Sequence, residues 1–394
     1  MKQMAMVVVF ILGGCVFSGY SGNAFSSPHT FSGIRNNKAS GHGGGIAVIG
    51  VGTVYLNGSK DCFRGSTEST LCFGNNTQPT NVNYNQADLD GNGSGNGGGI
   101  YASGIDTTVH LINTLVEANA AQSGGGIAIE NQATLDMRTE FFENTCWKPS
   151  ACSQVVNNET AFENSPIRGG GLYATSGAQA FISRTEFTNN KADFGTAIYA
   201  FTATEDPIAT FVDINGVLIA KNGLDGSGRW KDSDTIRNNN ALMNISYSTI
   251  ADNDAVDTSA NIFNTGEVGN LRLFNSIIHN NDGLPVFRGI NHDSTDFYEC
   301  LLLNETESLP IETSLIVGDP HFVDREGGNY HLHHLLSEAI DFCYEDGAIP
   351  RYKDIDNDTR GVDGPERPEF LGLYDAGYDE SNDLIYKGGF DSRN

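Results

Sequence analysis

Positive charge is scarce in this chain: 23 Lys plus Arg stand against 49 Asp plus Glu, a formal net charge of -26 over 394 residues. Phosphate recognition needs a basic face, so a nucleic-acid partner is excluded. An anionic membrane surface is disfavoured on the same ground, as is a polyanionic substrate unless divalent cations bridge the two. Long apolar runs are also missing where a membrane span would need one. The stretch from Met4 to Leu12 is nine residues, too short to cross a bilayer as a helix. There is no Cys-x-x-Cys pair, and few His lie near Cys, which argues against a zinc site.

Behind Met1-Lys2-Gln3, that short apolar run reads as the centre of a signal peptide. Leu12-Gly13-Gly14-Cys15 resembles a lipoprotein box, which would leave Cys15 as the lipidated first residue. Ordinary cleavage after Gly22-Asn23-Ala24 is the alternative, with residues 1–24 removed. The expected location is bacterial and exported, at the cell surface or outer membrane or free outside the cell. Any membrane contact would run through a lipid on Cys15. Of 7 cysteines, six remain under ordinary cleavage or unmodified beside a lipidated Cys15. An even number in an exported chain reads as disulfides, although six thiols allow 15 connectivities. Proximity in sequence suggests Cys62–Cys72 and Cys146–Cys152, leaving Cys300–Cys343.

What the chain has in abundance is glycine, 47 residues, arranged with a period. Ser, Thr or Val is followed five residues later by Asn at Ser32/Asn37, Thr114/Asn119, Thr139/Asn144, Thr185/Asn190, Val217/Asn222, Ser248/Asn253 and Ser276/Asn281. In several copies a glycine run and a short apolar strand follow: Gly43 to Ile49, Gly97 to Ala102, Gly124 to Ile129 and Gly169 to Ala174. A decayed copy spans Phe194 to Ala200. Ile100 and Ile127 are 27 residues apart and Leu172 and Ile198 are 26, whereas Ile46 and Ile100 are 54 apart. The last interval is two coils or one coil with a large insertion. Such periods mean a solenoid in place of two or three globular domains.

The expectation is an all-β fold of parallel strands stacked at about 4.8 Å per coil with aliphatics inward. The Asn positions should stack into a ladder at a corner, where Asn tolerates left-handed geometry and its amide can bond the next coil. The glycines should serve a sharp bend that a Cβ would obstruct. They do not read as a phosphate cradle, since no Lys-Ser/Thr follows them and no helix is predicted. Polar stretches at 57–96 and 146–167 read as loops inserted at one edge of the solenoid. Beyond Ala200 the segments Phe211 to Asn222, Met243 to Asn253 and Leu271 to Asn281 continue the strand pattern, with a weaker copy at Asp296 to Thr306.

The repeated glycine-run and Thr-x4-Asn coil resembles secreted right-handed parallel β-helix proteins, including polymorphic outer-membrane-type repeats. In the tail, Asp319-Pro320-His321-Phe322, Tyr330-His331-Leu332, Ala339-Ile340-Asp341, Asp354 to Arg360 and Tyr374 to Glu380 look like a choice-of-anchor Q domain. Two departures stand out: Leu336-Ser337-Glu338 precedes Ala339-Ile340-Asp341, and Asp375-Ala376-Gly377-Tyr378-Asp379-Glu380 closes the match. No sorting motif follows Glu380. The resemblance implies a right-handed β-helix of about nine coils over 25–317, a tail over 318–380 covering the last strand edge, and a polar extension over 381–394. It implies a location and no catalytic residues.

The resemblance also extends to β-helix enzymes that act on acidic polysaccharides, whose chemistry sets definite residue requirements. A lyase site needs carboxylates holding calcium and a basic residue to take the proton α to a uronate. Asp252, Asp254 and Asp257 with Arg237 are the candidates, although polar residues are expected at that corner anyway. A hydrolase needs paired carboxylates on neighbouring coils. No adjacent Asp pair occurs, and Gly41-His42-Gly43 sits in the first coil. Calcium is the one cofactor the sequence admits: Asp88, Asp90 and Asn92 alternate like a calcium loop, and Asp354, Asp356 and Asp358 repeat the spacing. Position twelve of the first set is Gly99, so it is no EF-hand, and turn chemistry explains both sets equally well. His321, His331, His333 and His334 are read as part of a half-exposed strand. The leading expectation is a binding or structural protein contacting glycans or cell-surface partners. A polysaccharide lyase or glycoside hydrolase is the alternative.

Overall fold

A computed structural model describes residues 8–9, 17–18, 33–57, 70–73, 80–88, 94–138, 153–160, 168–223, 234–254, 260–265, 271–280, 285–289, 297–304, 315–343, 354–355, 360 and 374–379. Every regular element among them is a strand, and the two large sheets are parallel throughout. The fold is a parallel β-helix.

One face is an eight-stranded sheet. It is built from Ile46–Ile49, Ile100–Ser103, Ile127–Glu130, Leu172–Thr175, Ile198–Phe201, Ile236–Asn239, Ile262–Thr265 and Phe287–Arg288. Ile46 pairs directly with Ile100, and Ile127 with Leu172. Both long intervals are therefore single coils carrying insertions. Part of the first insertion is itself regular: Thr70–Phe73 pairs in parallel with Gly52–Asn57, and Thr80–Asn83 is an ordinary rung beside Thr114–Glu117.

The other large sheet holds two ladders that meet at a corner. The first runs through Gly52–Asn57, Thr107–Ile112, Thr134–Met137, Gln179–Ser183, Phe211–Asn215 and Leu242–Ser246. The second runs through Thr80–Asn83, Thr114–Glu117, Ser153–Val156, Thr185–Thr188, Leu218–Ala220 and Thr249–Ala251. In the later coils both ladders are served by one long strand, Leu271–His279 and then Phe297–Leu303, although the pairing still skips the corner residues Asn275 and Cys300, whose φ are 46° and 49°. Alternate residues point inward and form one continuous apolar core from Ile34 to Leu303.

The asparagine ladder is present, in a corrected register. Asn37, Asn85, Asn119, Asn158, Asn190, Asn222 and Asn253 stand above one another. At each step the backbone N–H and Nδ2 of one donate to Oδ1 of the next at 2.9–3.1 Å. Nδ2 also donates to a carbonyl one coil back, as Asn190 does to Val155 at 2.9 Å. The ladder continues through Asn280, one residue before the expected Asn281. Asn85 and Asn158 belong to it although the repeat reading passed over them, while Asn144 lies outside the described residues. The left-handed residue is not the ladder Asn but the one before it: Asn36, Tyr84, Ala118, Asn157, Asn189, Lys221 and Asp252 all have φ between 51° and 58°. Bulky residues accept that geometry, unfavourable by about 1–2 kcal/mol, because the ladder bonds on the following residue hold it there. The hydroxyl at the other end of the strand forms a matching column, with Val217 N donating to Ser248 Oγ and Ser248 N to Ser276 Oγ.

The glycine corner behaves as expected. Gly97, Gly124, Gly169 and Gly195 have φ of 71°, 62°, 65° and 60°. The glycine that follows the first three packs against the next coil, Thr196 standing in its place after Gly195: a Cβ on Gly98 would stand 2.4 Å from the Gly125 carbonyl oxygen.

The tail differs most from expectation. Its described residues lie along the outer flank of the second ladder, where a cap on the last strand edge was expected. An antiparallel hairpin, Phe322–Asp324 with Asn329–Leu332, is packed there with 339–343, Ile355 and 374–378. They cover the outward side chains Leu218, Ala220, Ala251, Ile277 and Leu302. Contacts reach from Arg184, whose Nη2 donates to the Ile355 carbonyl, to Cys300, disulfide-bonded to Cys343 with Cα atoms 5.6 Å apart. Cys62, Cys146, Cys152 and Cys15 lie outside the described residues, and only the backbone is described at Cys72. Mapping of the unreduced protein is expected to recover a Cys300–Cys343 cross-linked peptide and no free thiol after signal removal. Two or more alkylated cysteines would refute the remaining pairings.

Candidate functional site

The outward positions of the first ladder form a column that crosses the coils. Tyr55 pairs in register with His110, His110 with Asp136, Asp136 with Phe181 and Phe181 with Asp213. These strands alternate because their inward partners, Val54, Val109, Leu135 and Ala180, fill the core. Stacking at the rung spacing brings the outward groups into contact. The Tyr55 and His110 rings lie parallel, 4.2 Å apart. His110 Nδ1 is 3.6 Å from Asp136 Oδ2, an electrostatic contact too long for a hydrogen bond. Arg138, two residues along the strand from Asp136, clamps that carboxylate with Nε at 2.9 Å and Nη2 at 3.0 Å. The guanidinium also lies 4.4 Å from the centre of the Phe181 ring, and Phe181 meets Phe211 edge-on at 5.7 Å.

Burial works to raise the Asp136 carboxyl, but the Arg138 hydrogen bonds and charge outweigh it and hold the group below its ordinary range. Burial lowers His110, with Asp136 pulling up and Arg138 pushing down, so the ring is neutral near pH 7. Burial, with Asp136 second, raises the Tyr55 phenol. The side chains of His110, Asp136 and Arg138 are 15%, 11% and 23% exposed, enough to present an edge to solvent. Tyr55, Phe181 and Phe211 are half-buried. This arrangement offers flat faces and hydrogen-bonding edges in one stripe. The column carries two carboxylates two rungs apart, Asp136, held by Arg138, and Asp213 beyond Phe181.

The eight-stranded sheet carries a second outward column: Tyr101, Ala128, Tyr173, Tyr199, Arg237 and Phe263. Its tyrosines are only 4–8% exposed, so it is not an open platform. His42 stacks on Tyr101 at 4.3 Å, and Tyr101 OH donates to Glu130 at 3.0 Å, with burial lifting that phenol to about 12.

The set expected to act as a lyase is divided by the structure. Arg237 lies between the Phe194 and Phe263 rings, 4.2 Å from each centre, and donates from Nε to Asp234 at 2.6 Å. Burial pushes Asp234 up to about 6, with Arg237 pulling the other way. Asp252 sits at the corner ahead of the ladder residue Asn253, where Arg325 and Tyr330 of the tail bind it. Asp254 N donates to Asn222 O at 2.8 Å, and Asp257 lies outside the described residues.

Of the calcium candidates, Asp88 is buried with φ 56° and Asp354, within the tail, is buried as well. Asp90, Asn92, Asp356 and Asp358 lie outside the described residues. Among the described residues no three His, Cys, Asp or Glu side chains converge as metal ligands. In the histidine group, His333 and His334 stack at 5.2 Å and His333 N bonds the His321 carbonyl, so the strand reading is replaced by a turn beyond Leu332. Comparison with family models, with curated proteins and with solved structures finds no match.

Proposed function

We propose that this chain is an exported, surface-associated β-helix protein that binds glycans along the outer face of its first ladder. The observation that supports it best is the stripe Tyr55, His110, Asp136–Arg138, Phe181 and Phe211. Sugars present apolar ring faces that aromatic side chains cover and hydroxyls that a fixed carboxylate–guanidinium pair can bond. The repeat along the coil axis matches a ligand that repeats along its chain. Export, with ordinary signal cleavage or a lipid on Cys15, rests on the sequence of the first 24 residues. The choice-of-anchor Q-like tail and polymorphic outer-membrane-type repeats belong to the same reading. Acting on an acidic polysaccharide is the alternative reading, favoured by the meeting of His110, Asp136 and Arg138 from adjacent coils.

A panel of neutral polysaccharides, pectate, alginate and glycosaminoglycans separates the two readings. Binding would be followed by calorimetry, and ultraviolet absorbance and reducing ends would be read with calcium and with chelator. Binding without products is expected, with Phe181→Ala/Phe211→Ala weakening affinity about tenfold, since two ring contacts contribute roughly 0.5–1.5 kcal/mol each. Tyr84→Ala, at a corner 57% exposed and off the stripe, should leave affinity unchanged. Unsaturated products would instead establish a lyase. Equal loss in both variants would remove the stripe as the binding face.

A further inference from the structure

Among the polar contacts that fasten the tail to the solenoid, the densest described joint is at Asp252. Arg325, in the turn of the tail hairpin, donates from Nε to both oxygens of Asp252 at 2.9 and 2.8 Å and from Nη2 to the His279 carbonyl at 3.1 Å. Tyr330 OH donates to Asp252 Oδ2 at 3.0 Å. The remaining guanidinium nitrogen, Nη1, lies 3.1 Å from Nδ1 of His279. Arginine has only donors and keeps its charge at every physiological pH, so Nδ1 must be the acceptor. The docked joint therefore requires a neutral His279 ring with its proton on Nε2.

We infer that His279 is a proton-operated release for the tail: protonation turns its hydrogen bond with Arg325 into a contact between two cations, and the hairpin lifts from the corner. The groups facing the ring are Arg325 from the hairpin, Asp252 from the neighbouring coil and Asp319 from the lead into the tail. Tyr330 faces Asp252 from the hairpin, and Lys221 anchors the turn through the Glu326 carbonyl at 3.0 Å. The two carboxylates moderate the repulsion without supplying an acceptor for Arg325 Nη1. Burial first and Arg325 second hold His279 below its ordinary value near 6.5. The undocked ring takes its proton first, so docking is strongest above about pH 6.5 and weakens as pH falls through it. The Cys300–Cys343 disulfide keeps the released tail tethered, which makes the movement reversible.

Hydrogen exchange on the full, unreduced chain at pH 7.5 and 5.5, corrected for intrinsic rates, tests this. The reporters are the amides of Leu332, Gly377 and Tyr378, bonded to Asp379, Asn275 and Thr249. Their protection is expected to fall several-fold at pH 5.5, with about tenfold the most that one imidazole of ordinary value can supply, while the Asn190 amide in the ladder keeps its own. His279→Asn supplies a non-titrating acceptor oxygen and should retain protection at both values. Arg325→Met should show weak protection at both. Unchanged wild-type protection at pH 5.5 would overturn the inference. So would a pH-dependent loss in Arg325→Met as large as in the wild type, the outcome that decides should His279→Asn not fold.

Discussion

Asn190→Ala is expected to lower unfolding stability by about 3–6 kcal/mol, a large part of the ~5–15 kcal/mol that holds a typical domain. The substitution removes the acceptor for both the backbone N–H and Nδ2 of Asn158, and the donor to the Val155 carbonyl. All three groups are buried between coils, and each left without a partner costs roughly 1–3 kcal/mol. Relaxation cannot recover the bonds, because the coils above and below hold the corner at fixed spacing. Asn190→Asp keeps an acceptor for Asn158 but places a negative charge against Asn222 Oδ1 and the Val155 carbonyl, so at pH 7 it should be worse than Ala. The measurement is the urea midpoint at unchanged slope. Thr188→Ala, outward and half-exposed on the same strand, should stay within about 0.5 kcal/mol of the parent. A shift for Asn190→Ala no larger than for Thr188→Ala would mean that the ladder adds little to stability.

The second large effect is expected at the glycine corner. In Gly98→Ala the new methyl carbon would lie 2.4 Å from the Gly125 carbonyl oxygen and 2.5 Å from that of Ala120. Both obstacles are backbone atoms of the next coil, so no side chain can rotate away. The coils must separate locally, and the loss should reach or pass the upper end of the ~1–3 kcal/mol usual for overpacking. Gly41→Ala is the matched control: no atom lies within 4 Å of the site a Cβ would take. It should be neutral or slightly stabilising, since alanine restricts the unfolded chain more than glycine does. Equal midpoints for the two variants would show that the corner yields, contrary to the close coil contact described.

The solenoid was legible because its signals repeat. The apolar strands after each glycine run pair residue for residue as the spacing implies, and Thr-x4-Asn marks both ends of a rung. The candidate site was not legible as a motif, since Tyr55, His110 and Asp136 belong to different coils. A register count carries the signal. Tyr55, Asp136 and Phe181 each stand nine residues after the first apolar residue of their coil, at Ile46, Ile127 and Leu172. His110 stands ten after Ile100 because the turn at Gly104 to Asp106 holds one more residue than the Gly50-Val51 turn of the first coil. The flank covered by the tail also had a signature that the alternation reading missed. Val217-Leu218-Ile219-Ala220 and Cys300-Leu301-Leu302-Leu303 are apolar at every position, as strands buried on both faces must be, whereas Thr185-Glu186-Phe187-Thr188 is polar on its outer face. Arg237 does not meet Asp252, for a different reason. Proximity in sequence did not disclose that Arg237 belongs to another face, or that the tail would bring Arg325 to Asp252.

A stack of coils is ordinarily a one-dimensional chain of neighbours, in which each rung senses only the two beside it and the ends fray one unit at a time. The tail breaks that locality. By touching the coils from Arg184 to Leu302 at once, it makes the loss of any one of them weaken a contact shared by all. The C-terminal coils should therefore melt as a single block, while the coils around Ile46 and Ile100 open in succession. This one chain thus joins a block of coils that melts as one to coils that sense only their neighbours.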